Sequence, residues 1–174
     1  MKDNIKVLIS QEKLENRIKE MAEQMNKDYA GEPLHLICIL RGSIFFTCEL
    51  AKNLTMPVTI DFMTASSYRD QMESSGTVDI MRELTDPLEG KNVLVIEDII
   101  DSGKTLSCLL PMFQEKNPKS LKLCTLLDKP DRRVVEVAVD YVGMQIPDLF
   151  VVGYGLDFAQ KYRNLPYIGV VEQE

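Results

Sequence analysis

This chain lacks several things that would have settled its class at once. No apolar run approaches the ~18 residues of a membrane-spanning helix. Met1-Lys2-Asp3-Asn4 opens a polar segment with no signal-peptide core. The four cysteines, Cys38, Cys48, Cys108 and Cys124, form no CxxC pair, and each lies in an apolar stretch. Reduced, buried thiols and a cytoplasmic setting are the expectation, not a disulfide framework. One histidine, His35, without ligand spacing around it, argues against zinc. Clustered cations are missing too: the formal net charge is −7, which argues against nucleic acid as partner. A small anionic substrate is not excluded, since amides, a few Arg or Lys and a metal ion can outweigh net charge in one cleft. Repeats, low-complexity tracts and linkers are absent, so residues 1–174 read as one domain.

What is present is a strong alternation of patterns. Leu14, Ile18, Met21, Ala22, Met25 and Tyr29 recur at helical spacing, predicting a helix over Gln11–Tyr29 with Ser10 as its cap and Gly31 and Pro33 ending it. Leu34–Leu40 reads as a buried strand, followed by a helix from a Ser43 cap to about Leu54. Val58–Ala65 is the next strand. Ser66–Gly76 is polar and aperiodic, a loop, and Thr77–Leu84 completes a hairpin around it. Asn92–Ile96 is the central strand, with a helix over about Gly103–Glu115 despite Pro111. Further strands are predicted over Leu121–Leu127, Val134–Val142, Phe150–Val152 and Tyr167–Val171, the last ending the sheet. Strand and helix alternating in this way predict an α/β fold, a twisted parallel sheet flanked by helices.

The most informative run is Val93-Leu94-Val95-Ile96-Glu97-Asp98-Ile99-Ile100-Asp101-Ser102-Gly103-Lys104-Thr105. An apolar strand meets two carboxylates, then a tight polar turn that opens a helix. Amides at such a turn suit a phosphate. Carboxylates at a strand end, where ligands of parallel sheets bind, can accept from sugar hydroxyls or hold a hydrated cation. Asp101, within the turn, is placed to reach the reacting end of the same ligand. Adjacent strand residues face opposite sides, so only one of Glu97 and Asp98 is expected to point into the cleft at a time. Gly103-Lys104-Thr105 has the tail of a nucleotide-binding P-loop, but that pattern needs glycine where Asp98 stands.

The run resembles the phosphoribosyl diphosphate (PRPP) signature of the type I phosphoribosyltransferases. Leu40-Arg41-Gly42, Ser66-Ser67-Tyr68, Glu97 to Thr105, Lys129-Pro130 and Pro147 to Asp157 agree in order with the hypoxanthine-guanine phosphoribosyltransferases of compact bacterial type. The resemblance implies a core over about residues 34–128. A small hood would be formed by residues 129–174 with part of the N-terminus. It implies transfer of 5-phosphoribosyl from PRPP to a 6-oxopurine, hypoxanthine or guanine, through an oxocarbenium-like transition state, with Mg2+ as cofactor and a homodimer or homotetramer as assembly.

Roles follow residue by residue from that resemblance. Asp101 would take the proton from purine N7; alternatively it only shapes the turn. Glu97 and Asp98 would hold the ribose hydroxyls, directly or through Mg2+, with Asp157 as a further metal or base contact. Ser102, Gly103, Lys104 and Thr105 would cradle the 5′-phosphate. Arg41 and Gly42 would bind pyrophosphate, with a non-proline cis peptide between Leu40 and Arg41. Arg163 is either a second grip on pyrophosphate or a surface arginine. Ser67 and Tyr68 would begin a lid that excludes water. Lys129 would donate to purine O6, selecting 6-oxo over 6-amino bases, since an ammonium cannot accept from an amino group. Phe150 would stack on the base, or else be a core aromatic, and Val151 would offer backbone groups to its edge. Proteins of this fold also include ligand-sensing regulators, but those need a DNA-binding domain or a basic face that this chain lacks.

Overall fold

The computed structural model describes residues 4–67 and 78–172. Chain order gives β1 (Asn4–Ile9), α1 (Gln11–Tyr29), β2 (Leu34–Leu40), α2 (Ile44–Asn53), β3 (Val58–Ser67) and β4 (Val78–Arg82). Then come β5 (Asn92–Ile100), α3 (Lys104–Gln114), β6 (Ser120–Asp128), β7 (Tyr141–Gln145), β8 (Val151–Val152) and β9 (Ile168–Glu172). Six strands form one sheet in the order β4-β3-β2-β5-β6-β7. It is parallel from β3 to β7, with β4 antiparallel on the edge. A second, antiparallel sheet of order β1-β9-β8 joins the two ends of the chain.

The apolar periodicities explain the layers. The stripe Leu14, Ile18, Met21, Ala22, Met25 and Tyr29 is buried along α1, and the Ser10 hydroxyl accepts from the Lys13 N–H at 3.3 Å. With Phe46 and Leu50 of α2 it covers Leu34, Leu36, Leu94, Ile96 and Cys124 on one sheet face. Leu106, Leu109 and Phe113 of α3 cover Ile37, Ile39, Val93, Val95 and Leu123 on the other. Burial of that stripe carries α3 across Pro111, which has no N–H to give. Both faces being covered accounts for the near-continuous apolar composition of β2 and β5.

Several expectations are corrected. Ser43 does not cap α2 through its side chain; its hydroxyl donates to Ile39 O at 2.5 Å. Residues 134–140 form no strand: the Val134 and Val135 amides both donate to Ser102 O at 3.0 Å, so this β-prone stretch lies across the turn after β5. Ile168–Glu172 does not end the large sheet but pairs with β1, a strand unforeseen because only Ile9 within it is buried. The central strand runs to Ile100, so Glu97 and Asp98 lie inside its last turn of pleat instead of at its end.

Candidate active site

The C-terminal ends of β2 and β5 lie side by side, and the loops after them make the site. The Leu40–Arg41 peptide is cis, as the resemblance implied. Gly42 follows it in close backbone contact: an added Cβ there would fall 1.5 Å from Asp98 Oδ2. Gly155, at φ +103°, approaches from the other side, where a Cβ would fall 1.9 Å from Gly42 O. Three separate segments therefore converge within a methyl group's width, which requires glycine at both positions.

Glu97 and Asp98 are half-buried beside this contact. Strict alternation would place Ile96 and Ile100 on one face. Ile96 and Ile99 pack toward α1 and α2 while Ile100 packs toward α3, and the pairing of β5 with β6 keeps one register from Asn92 to Ile100. The two carboxyl groups share a side-chain hydrogen bond. Desolvation lifts Glu97 well above the usual carboxylate range, and the charge of Asp98 adds to it. Desolvation also raises Asp98, opposed by hydrogen bonds from Glu97 and the Ile99 N–H (2.7 Å) and by the nearby Arg163 cation.

The turn after β5 is built from both sides of the chain. Gly103 sits at φ +81° as the N-cap of α3. A Cβ at Gly103 would fall 2.4 Å from Val135 O, so this glycine is required by the overlying segment as well as by any phosphate. The Lys104 N–H reaches Ser102 Oγ at 3.4 Å; the Lys104 side chain is exposed and Thr105 half-buried. The turn's remaining carboxylate, Asp101, accepts from Arg132 Nε at 3.0 Å, and its carbonyl accepts from Arg133 Nε at 3.2 Å.

Lys129, which follows β6 directly, is only 8% exposed and is no surface lysine. Its Nζ lies 3.9 Å from Asp148 Oδ1, whose other oxygen is 3.5 Å from Arg132 Nη1. A chain of alternating charge thus runs Lys129, Asp148, Arg132, Asp101. Phe150 is 58% exposed and meets Phe158 edge-on at 5.6 Å, so it is not a core aromatic. Val151 is buried in β8.

Arg163 is no surface arginine either. Its Nη1 donates to Gly155 O at 2.7 Å and its Nη2 pairs with Asp157 Oδ1 at 2.8 Å. Asp157 Oδ2 accepts from the Gln160 N–H at 2.7 Å, and Gln160 Oε1 accepts from Arg41 Nη1 at 3.1 Å. Arg41, Gln160, Arg163 and Asp157 therefore tie the loop after β2 to the loop after β8. Ser67 ends β3, and Tyr68 lies outside the described residues. Sequence reasoning missed Arg132, Arg133, Gly155 and Gln160. The Arg132-Arg133 doublet close behind Lys129-Pro130 was the one available signal, since a basic pair near an acidic turn invites pairing. Arg133 also ion-pairs with Asp128 at the end of β6.

The pattern of the phosphoribosyl transferase domain matches residues 7–159. A hypoxanthine phosphoribosyltransferase of Buchnera aphidicola subsp. Schizaphis graminum is 50% identical over 173 residues, 98% of this chain and 98% of that one. A hypoxanthine-guanine phosphoribosyltransferase of Streptococcus thermophilus is 46% identical, covering 99% of this chain and 96% of its own. Among solved structures, a Bacillus anthracis hypoxanthine-guanine phosphoribosyltransferase superposes with a TM-score of 0.93 at 50% identity, over 97% of this chain and 100% of that chain. With matches of this extent at both levels, the chain belongs to the phosphoribosyl transferase domain family, as its central strand and turn foretold.

Proposed function

We propose that this protein is a purine-salvage transferase that moves the 5-phosphoribosyl group of PRPP onto hypoxanthine or guanine, forming IMP or GMP and pyrophosphate. The observation that carries the reading is the meeting of Gly42, Asp98 and Gly155 at the ends of β2 and β5. Bare backbone at Gly42 and Gly155 lets the loop after β2 and the loop after β8 close against Asp98, which brings their groups together at the strand ends where ligands of parallel sheets bind.

Each residue then has a task. The amides from Ser102 to Thr105, opening α3, hold the 5′-phosphate. Glu97 and Asp98 accept from the ribose hydroxyls. Arg41 and the Gly42 amide receive the leaving pyrophosphate. Arg163, committed to Gly155 O and Asp157, fixes that loop and contributes its charge from behind. Lys129, buried and only loosely paired with Asp148, donates to purine O6, and Phe150 offers its exposed ring to the base. Asp101 accepts the N7 proton once Arg132 has turned away from it. Ser67 and Tyr68 close the site. Holding base and sugar in line supplies the orientation that an oxocarbenium-like transition state requires.

Mg2+ fits this set through the hard carboxylate oxygens of Glu97, Asp98 and Asp157. These acids do not gather into one ligand cluster among the described residues. Bound there, it would neutralise charge on the leaving group. No helix among the described residues is long and apolar enough to cross a membrane, and a cytoplasmic homodimer or homotetramer is the proposed setting. Initial rates with hypoxanthine, guanine, xanthine, adenine and uracil, with and without Mg2+, test the reading. Turnover of 6-oxopurines alone supports it, and adenine or uracil as sole acceptor would overturn it.

A further inference from the structure

Away from the transferase site, the fold assembles a group that no spacing in the sequence reveals. His35 stands at the start of β2, Asp61 in the middle of β3, and Asp86 in the loop joining β4 to β5. Each offers one ligand atom, and these atoms lie within 4.8 Å of one another. His35 and Asp61 are each 2% exposed, whereas Asp86 is exposed and leaves the group open to solvent.

The histidine is the unusual member. Its Nδ1 is 2.7 Å from Thr59 Oγ1, while Nε2 is buried with no hydrogen-bond partner. If Nδ1 carries the proton and donates to Thr59, the buried Nε2 keeps a free lone pair beside Asp61 and Asp86. That is the tautomer and outer-shell support found in metal-ligating histidines. Burial lowers the imidazole's proton affinity, assisted by Lys91. An orphan buried nitrogen is otherwise costly.

The carboxylates complete the set. Asp61 Oδ2 accepts from the amides of Thr85 and Asp86 at 2.7 and 3.0 Å. Its Oδ1 accepts from the Phe62 amide at 2.8 Å and from the Thr85 hydroxyl at 3.1 Å. The hydroxyl is the longest of the four and can rotate away, freeing Oδ1 while three amides keep the carboxylate oriented. Asp86 supplies a second oxygen from the rim.

We propose that His35, Asp61 and Asp86 bind a divalent cation of the zinc type at the edge of the sheet opposite the transferase site, pinning β2, β3 and the β4–β5 loop together. One imidazole and two carboxylates suit Zn2+, with water in the fourth position, better than Mg2+, which prefers oxygen donors alone. The ion would brace the base of the hairpin that β3 and β4 form.

Because His35 is the sole histidine, tag-free 15N-labelled protein gives a single imidazole signal set. Zn2+ added without PRPP should shift the Nε2 resonance, saturating near about one equivalent. Asp86→Asn, a surface change that leaves the core intact, should weaken that binding by about tenfold or more. Asp98→Asn should leave it as in the unaltered protein, which separates this site from any cation held by Glu97 and Asp98. An unmoved Nε2 resonance under excess Zn2+ would overturn the proposal, and so would equal shifts in the unaltered and Asp86→Asn proteins.

Discussion

The two ends of the parallel sheet treat their charges in opposite ways. At the N-terminal side of β3, Asp61 is buried and receives four hydrogen bonds, so although burial pushes its carboxyl up, the amides of Asp86, Phe62 and Thr85 outweigh it and hold the group below the usual range. At the C-terminal side, Glu97 and Asp98 crowd together and are pushed up. The first carboxylate is oriented by three amides and a hydroxyl that the fold supplies. The second pair is left with unmet demand, which a cation or sugar hydroxyls can meet. Changes at the site end should therefore alter chemistry more than stability, and changes at the other end the reverse.

Asp101→Asn tests the strongest form of this contrast. Turnover should fall by about 10²- to 10⁴-fold, the range for a lost general base, with PRPP affinity nearly unchanged. Steady-state kinetics resolve kcat from KM, and an unchanged kcat would remove Asp101 from proton transfer. Gly42→Ala should come next. Its methyl group would overlap Asp98 Oδ2, so PRPP binding should weaken severely, with a stability cost of about 1–3 kcal/mol from overpacking. Calorimetric titration with PRPP beside a melting curve separates the two effects.

Asp61→Ala approaches the comparison from the other end. Removing the acceptor of three backbone amides should cost about 3 kcal/mol in urea unfolding while leaving the KM for PRPP in place. A stable variant with damaged kinetics would invert the contrast. Phe150→Ala should raise the KM for the purine about three- to tenfold, the worth of one aromatic contact, with hardly any change in Tm because the ring is already exposed.

The smallest effect concerns Asp28, which accepts from Tyr141 Oη and Gln24 Nε2, each at 2.7 Å, and is held below the ordinary carboxylate range. A depressed carboxyl favours the folded state fully above its unfolded value and loses that contribution as pH falls through the folded one. Tyr141→Phe should therefore lower Tm slightly at pH 6, and the gap should narrow toward pH 3. A gap that widens on acidification would contradict the assignment.

The helices and central strands were legible because apolar spacing decides them. α1 and β2 match their predicted bounds residue for residue. The 134–140 stretch was not, because its valines have strand propensity while the Ser102 carbonyl captures two of its amides, and only the fold brings that carbonyl there. The same distance in sequence hid Arg132 beside Asp101 and Gly155 beside Gly42. It also hid His35 beside Asp61 and Asp86, where a rule based on ligand spacing points away from zinc. Local periodicity reports which face a residue buries; it carries no record of partners tens of residues away.

One strap joins Lys129 to the turn after β5. The stretch beginning at Lys129 crosses over the β5–α3 turn, fastened by Arg132 and Arg133 to Asp101 and by the Val134 and Val135 amides to Ser102, and it lies so close above Gly103 that no side chain fits between. Whatever tilts this strap moves the Lys129 amine and the amides that open α3 in one stroke. On the proposed reading, nucleobase and sugar phosphate would be sensed by a single mechanical part, and tightening on either should stiffen the hold on the other.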